Sequence, residues 1–241
     1  RNLFNINWLD NPSKILLFIG LKSLYLLGAL NKKTNLTILG RKITELPLKP
    51  MLGKSLLLSE RFNCKNEILY LSCMLSISSF RLNFDGSEKC NKTSEFKKSD
   101  HLTYSTLFKN WKKSGYSREW CNTNKLNFIE FGLARNIEIQ LKSILNKLMI
   151  VRKTSNIKQP AKALIAGFFL NIAKLVKYGF YNLVFSRSNS TLLIHKGSIL
   201  NTLSLKPNFI LFDHLLINQK FFVQIVSVIK LDNLKTFLNL H

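Results

Sequence analysis

The sequence predicts a multi-domain α+β protein in which a helical block is followed by a small β-barrel. Apolar residues recur at helical spacing through most of residues 41–149. Beyond a polar linker at residues 152–159, short apolar runs alternate with polar or Gly/Pro turns, which is typical of small barrels. The 46% hydrophobic share of the 241 residues is enough to build cores and argues against disorder.

The first segment, residues 1–48, is predicted to be the end of a winged-helix domain. Asn11 and Pro12 suit the N-cap and first position of a helix, leucines recur at positions 17, 21, 24 and 27, and Gly28 can end it. Residues 36–40 then form a short β-like run. A helix followed by a small β element is how a winged helix ends.

The second segment, residues 49–152, is predicted to be an all-α bundle. Helices are expected over residues 51–61 and 67–77, and the polar stretch 78–98 is expected to be a surface loop. Ser99 or Asp100 can cap a helix that runs to Trp111, and Ser117 can cap the next. Apolar residues at 137, 141, 144, 145 and 148 then predict a long amphipathic helix.

The third segment, residues 153–241, is predicted to be a barrel with a leading helix. Pro160 begins that helix, which is expected to run to about Val176 and to end at Gly179. Strands are expected over residues 181–185, 191–194, 208–217 and 221–230. A five-stranded barrel of the oligonucleotide/oligosaccharide-binding (OB) type fits this length.

Charge indicates the class of partner. Lys and Arg number 36 against 13 Asp and Glu, a net charge of +23, which favours a polyanion: nucleic acid first and an anionic membrane second. The apolar stretch 15–30 is broken by Gly20 and Lys22 and is too short to span a bilayer, so no membrane partner is expected. The chain opens on Arg1 without a Met, which indicates a fragment of a longer protein.

Several kinds of chemistry have no residues to support them. The four cysteines show neither zinc-ligand nor disulfide-scaffold spacing, and reduced thiols inside the cell are expected. The sequence has no GxxxxGK[ST] phosphate loop and no Asp-Glu-Ala-His box. The four histidines have no nucleophile with a known local signature beside them. No catalytic residue, cofactor or metal is therefore expected within this chain.

Four groups of short motifs follow one another in a fixed order. They are Leu-Gly-Ala-Leu-Asn at 27–31 with Leu-Gly-Arg at 39–41; Glu-Ile-Leu at 67–69 with Met-Leu-Ser at 74–76; Asp-His-Leu-Thr at 100–103 with Asn-Trp-Lys at 110–112 and Trp-Cys at 120–121; and Ala-Gly-Phe-Phe at 166–169 with Ile-His at 194–195. In this order they resemble the C-terminal half of the DEAH-box RNA helicases. The Gly-Ala-Leu-Asn and Trp-Cys motifs are most similar to those of the pre-mRNA-splicing members.

The resemblance implies a function. In that family the winged-helix end, the helical ratchet (HA2) domain and the OB-fold form one wall of a channel for single-stranded RNA. The preceding RecA-like lobes bind ATP and Mg, so the chain would belong to an enzyme only when joined to them. G-patch activator proteins and spliceosome components are the implied partners, and the nucleus is the implied location. The abundance of Lys, Asn, Ile, Leu and Phe is typical of an AT-biased genome, such as that of a nucleomorph.

Five residues are candidates for RNA contact by this resemblance, each with a structural alternative. His101 can instead cap and pack a helix start, Arg135 can lie on a solvated helix face, and Lys162 can have a structural role. His195 and Lys220 are expected on strands or loops of the barrel, where they could contact RNA or a G-patch protein. Trp111 and Trp120 are expected in the core, and the Lys-rich stretch 89–98 in a solvated loop.

Some family positions differ. Ala161 precedes Lys162 where the family has Arg-Lys, Lys196 replaces a proline, and Ser99 replaces a glycine. Glu138 and Gln224 each stand in place of an arginine, and His214 replaces an acidic residue. At these positions the chain lacks two or three basic residues that the resemblance implies. A stand-alone basic RNA-binding or ribonucleoprotein module without helicase activity is the alternative function, and a scaffold that only docks proteins is a third.

Overall fold

The computed structural model describes residues 9–10, 12–77, 98–148, 157–185 and 190–238. Four predicted segments lie mostly outside them: the loop 78–98, the Lys-rich stretch 89–98, the linker 152–159 and the turn 186–190. The helices and strands are α1 (Lys14–Leu26), α2 (Ile38–Thr44), α3 (Pro50–Leu58), α4 (Lys65–Leu75), α5 (Asp100–Lys113), α6 (Arg118–Thr123), α7 (Phe128–Lys147), α8 (Pro160–Phe168), β1 (Ile172–Lys177), β2 (Phe180–Leu183), β3 (Leu192–Ile194), β4 (Phe209–Ile217), β5 (Phe221–Val228) and α9 (Leu231–Leu238).

The first helix, α1, begins two residues later than predicted. Its N-cap is Ser13, whose side chain accepts a hydrogen bond from the Leu16 amide, so Pro12 lies outside the helix; Asn11 is not among the described residues. Gly28, with φ +74°, follows the helix in the left-handed region that favours glycine, which confirms it as the stop. Among the described residues, no helix is both long and apolar enough to span a membrane.

The prediction of a β-like run at residues 36–40 is wrong. Only an isolated bridge joins Leu30 to Leu36, and α2 begins at Ile38. Thr37 is the reason: its hydroxyl accepts a hydrogen bond from the Gly40 amide at 2.9 Å and donates one to the Gly28 carbonyl at 2.6 Å. The cap turns an apolar, β-branched stretch into a helix that folds back onto the end of α1.

The all-α character of the middle block is confirmed in its described residues. Ser99 caps α5 through a hydrogen bond from the Leu102 amide, and Ser117 caps α6 through one from the Trp120 amide. Helix α4 packs against α5 and α7. Trp111 lies fully buried among the rings of Tyr116 and Phe131, as expected of a core residue.

The leading helix of the barrel is shorter than predicted. Helix α8 ends at Phe168, a 3₁₀ turn covers Phe169–Asn171, and residues expected to continue the helix form β1 instead. The cause is tertiary, because β1 pairs with β2 on one side and with β4 on the other. Gly179 therefore ends no helix; it lies in the tight turn between β1 and β2.

The five strands close a barrel in the order β1-β2-β3-β5-β4, which confirms the predicted five-stranded barrel with a leading helix. All neighbours are antiparallel except β3 and β5, which pair in parallel. Its interior is a separate core around Tyr181, Ile210 and Val223. Helix α9, which the sequence did not predict, packs against α8.

Candidate nucleic-acid interface

The two candidate residues on the barrel, His195 and Lys220, lie at opposite ends of it. Strand β3 runs parallel to β5 and antiparallel to β2, so the turn between β1 and β2 lies at the same end as the residues that follow β3. His195 is at this end. Lys220 is exposed in the turn between β4 and β5, at the opposite end. The structure does not bring these two residues together.

His195 is half-buried and held in one orientation. Its Nδ1 accepts a hydrogen bond from the Gly197 amide at 3.1 Å, and its ring meets Phe222 edge-on with centroids 6.2 Å apart. With Nδ1 as the acceptor, the proton of a neutral ring is on Nε2, which leaves a donor on the other side of the ring. His195 can therefore offer one N–H to a ligand at this end.

Charge on the barrel is almost entirely of one sign. Residues 161–241 contain nine Lys or Arg but two Asp and no Glu. Asp213 is nearly buried: His214 Nδ1 lies 2.6 Å from its Oδ2, and Lys49 Nζ lies 3.7 Å away. Burial alone would raise the pKa of Asp213, but the His214 hydrogen bond and the Lys49 charge hold it below its usual value. This carboxylate therefore does not neutralise the barrel's exposed lysines.

The contact between Lys49 and His214 joins the start of the ratchet block to the barrel. Lys49 Nζ donates to His214 Nε2 at 3.0 Å, and Nδ1 of the same ring lies 2.6 Å from Asp213 Oδ2. His214 stands where the family has an acidic residue. His214 therefore lies between the Lys49 ammonium of the ratchet block and the Asp213 carboxylate of the barrel.

His101 is completely buried rather than presented to a ligand. Its Nδ1 lies 2.7 Å from the Ser227 hydroxyl on β5, and its ring meets Phe168 edge-on. Burial lowers the pKa of His101 to about 4, so the ring is neutral near pH 7. The structure favours the packing alternative for this residue over direct RNA contact.

Asp100, the neighbour of His101, makes three hydrogen bonds from the ratchet to the barrel segment. Its Oδ2 accepts hydrogen bonds from the Ser198 hydroxyl at 2.6 Å and the Val226 amide at 2.7 Å, and its Oδ1 accepts one from the Ile199 amide at 3.0 Å. The carboxyl is 2% exposed. Burial raises its pKa to about 6, although each of these hydrogen bonds lowers it.

Ser99 adds to the same junction, which the sequence alone did not reveal. Its hydroxyl lies 2.6 Å from that of Ser227, and the two residues form an isolated bridge. Ser99 stands where the family has glycine, so the departure supplies both the helix cap and a contact to the barrel. The Asp-His motif at 100–101 was the only indication of this junction in the sequence. Its partners could not be predicted because they are about a hundred residues further along the chain.

Arg135 is exposed on α7, where its guanidinium lies 4.0 Å from the centre of the Tyr116 ring. This cation–π contact orients the side chain while leaving it at the surface. One turn further on, Glu138 is buried and accepts from Lys112 at 2.6 Å and Lys142 at 2.7 Å. Burial would raise the pKa of Glu138, but these two lysines lower it. Glu138 thus pairs with two lysines whose side chains remain partly exposed.

Lys162 is half-buried in the first turn of α8, and its backbone amide donates to the Gln159 carbonyl. On α3, which packs against α8, Lys54 is buried, with its Nζ 5.4 Å from the centre of the Phe169 ring. Burial lowers the pKa of Lys54. Of these two lysines, only Lys162 has accessible surface to offer a phosphate.

The described surface presents cationic and aromatic side chains and no cluster of metal-binding or reactive thiol groups. Within the described residues, no group of three or more His, Cys, Asp or Glu side chains is arranged to hold a metal ion. Cys64, Cys73 and Cys121 are free and buried, and burial raises the pKa of each thiol. Such a surface can bind a polyanion through phosphate contacts and ring stacking.

Comparison with known families matches most of the chain in three consecutive parts. Residues 20–48 match the winged-helix helicase associated domain (HA2), residues 49–104 match the ratchet-like helicase associated domain (HA2), and residues 161–239 match the oligonucleotide/oligosaccharide-binding (OB)-fold. These matches agree in order with the helices and the closed barrel described above. The chain therefore contains the winged-helix, ratchet and OB-fold domains that form the C-terminal region of DEAH-box helicases.

Proposed function

We propose that this chain is the accessory C-terminal part of an ATP-dependent RNA helicase that acts in pre-mRNA splicing in the nucleus. In this role it forms one wall of a channel for single-stranded RNA and a docking surface for an activator protein of the G-patch type. The observation that carries the proposal is the charge of the segment 161–241, which contains nine Lys or Arg and only two Asp. Such an excess of positive charge can bind the phosphates of an RNA backbone regardless of the base sequence.

The two junctions between ratchet and barrel support the idea of a wall. Asp100 accepts hydrogen bonds from two barrel segments, and Lys49 contacts His214 on β4. These contacts join the ratchet, which carries Arg135, to the barrel, which carries Lys220. A strand moved by ATP-driven lobes needs such a fixed counterpart, and this chain supplies no ATP-binding motif of its own.

The splicing part of the proposal rests on sequence similarity. The Gly-Ala-Leu-Asn segment at 28–31 and the Trp-Cys pair at 120–121 have the wording of the splicing members. In the structure both segments contribute buried residues to the fold: Ala29 is buried beside α2, and Cys121 is the buried residue of α6.

One experiment tests both parts. The protein is crosslinked to RNA by ultraviolet light in the cells that make it, isolated, and the attached RNA is sequenced. We expect enrichment of pre-mRNA introns and small nuclear RNA over ribosomal RNA, after normalisation to a sample without irradiation. Enrichment of ribosomal RNA alone would contradict the splicing role, and failure to recover crosslinked RNA would contradict the channel wall.

A further inference from the structure

The turn between β1 and β2 presents an aromatic ring to solvent in a conformation that aromatic residues rarely adopt. Lys177 pairs with Phe180, so Tyr178 and Gly179 form a two-residue hairpin turn. Their φ angles are +48° and +81°, as in a type I′ turn. Asn-Gly is the usual pair there, because a bulky residue with positive φ is strained. The turn therefore holds a tyrosine at a position that favours asparagine.

The ring gains no packing that would offset this strain. Tyr178 is 91% exposed, whereas Tyr181, three residues later, is completely buried and donates its hydroxyl hydrogen to the Pro207 carbonyl. Strain kept at an exposed position without a packing reason is a feature of functional sites. The exposed face of an aromatic ring is also what a nucleobase stacks on.

The surroundings of the turn are positive. Lys174 and Lys177 are exposed on β1, immediately before Tyr178. Residues 161–212 contain no Asp or Glu, so no carboxylate of this stretch competes for these cations. His195 and Lys196 follow β3 at the same end of the barrel. A ring flanked by such cations suits a base together with its adjacent phosphates.

We infer that Tyr178 is a stacking platform for one base of a single-stranded RNA, with Lys174 and Lys177 contacting the neighbouring phosphates. This inference rests on the proposed function and names a binding position within it. Stacking does not depend on base identity, so the platform holds the strand without selecting its sequence.

The test is a fluorescence anisotropy titration of the full chain with a short, unstructured, fluorescein-labelled oligouridylate. The variant Tyr178→Asn removes the ring and keeps the preferred turn pair, so the unfolding temperature should stay equal or rise. We expect its affinity for RNA to fall roughly ten-fold or more, because stacking on one ring is worth about that much. Tyr178→Phe should retain the affinity, and Tyr25→Ala, which removes an exposed ring from α1, should leave it unchanged.

A second variant separates stacking from charge. Lys177→Gln should reduce the dependence of log K on log salt concentration by about 0.7, whereas Tyr178→Asn should leave that slope unchanged. If the unaltered chain binds RNA and Tyr178→Asn binds it equally well, the platform is refuted while the proposed function stands. If the unaltered chain binds no RNA at low salt, both are refuted.

Discussion

Replacing Gly167 with alanine should destabilise the protein by about 3 kcal/mol or more. Gly167 lies on α8 where that helix crosses α3, and a Cβ atom there would overlap the Met51 carbonyl oxygen and the Ser55 hydroxyl. Backbone atoms cannot move aside as a flexible side chain can, so the two helices must separate. Because Ser55 and the residues around α8 are buried, that separation opens the core between the ratchet and the barrel.

Gly132→Ala is the matched control for Gly167→Ala. Gly132 lies within α7, and a Cβ there would have no atom within 4 Å. Alanine is the better helix former, so this variant should be more stable by about 0.5–1 kcal/mol. Urea unfolding followed by circular dichroism measures both. Equal stabilities for the two variants would show that the α3–α8 crossing is not as close as the structure has it.

Asp100→Asn is expected to cost about 2–4 kcal/mol. An amide retains one acceptor oxygen but turns an N–H₂ group toward amide or hydroxyl donors, so at least one buried donor loses its partner. The Ser198 hydroxyl and the Ile199 and Val226 amides all point at this carboxylate. Glu45→Gln, which removes an exposed charge at the end of α2, is the control and should change stability by less than about 0.5 kcal/mol. A similar small effect for Asp100→Asn would refute its role at the junction.

The pH dependence of this variant gives a second readout. Asp100 has a folded pKa of about 6, above its ordinary 3.8, so its contribution to stability is fully present below pH 3.8 and is lost as pH rises through 6. His101 has a folded pKa of about 4, below its ordinary 6.5, so its contribution is present above pH 6.5 and is lost as pH falls through 4. The two oppose each other between pH 4 and 6. In Asp100→Asn only the His101 effect remains, and its stability should fall more steeply than that of the unaltered chain on acidification. Parallel profiles would contradict this.

Local signals predicted the helical part well. Serines 99 and 117 cap α5 and α6 through hydrogen bonds to amides within the next three residues, so the sequence pattern and the structure coincide. The amphipathic helix α7 likewise needs only the spacing of its own apolar residues. Where the cap was not recognised, at Thr37, the prediction failed, because the apolar and β-branched residues that follow it suit a strand as well as a helix.

Long-range pairing explains the other errors. Residues 172–177 directly follow a helix and lack a clean alternation of apolar and polar residues, and only pairing with strands β2 and β4 makes them a strand. Because Gly179 was predicted to end a helix, the turn formed by Tyr178 and Gly179 was not predicted. A glycine between two apolar runs is also typical of a β-hairpin. The strand β1 and the candidate ring of Tyr178 were therefore missed for one reason: the preceding helix was predicted to continue to Gly179.

The sequence could not predict which candidate side chains are buried and which are exposed. His101 and Arg135 both stand in helical motifs of the family, yet one is inaccessible and the other lies on the surface against Tyr116. The difference depends on which helix face meets the barrel, and that is fixed by residues far along the chain, such as Ser227. Charge excess, by contrast, was visible from composition and is spread over the described surface.

The central claim is that the chain binds single-stranded RNA through its cationic barrel and ratchet. The most direct measurement is the affinity of the unaltered chain for an unstructured oligonucleotide RNA over a series of salt concentrations. A wall that contacts about three or more phosphates predicts a slope of log K against log salt of about −2 or steeper, since each phosphate contributes about −0.7. An affinity independent of salt, or no binding at the lowest salt concentration, would contradict the claim.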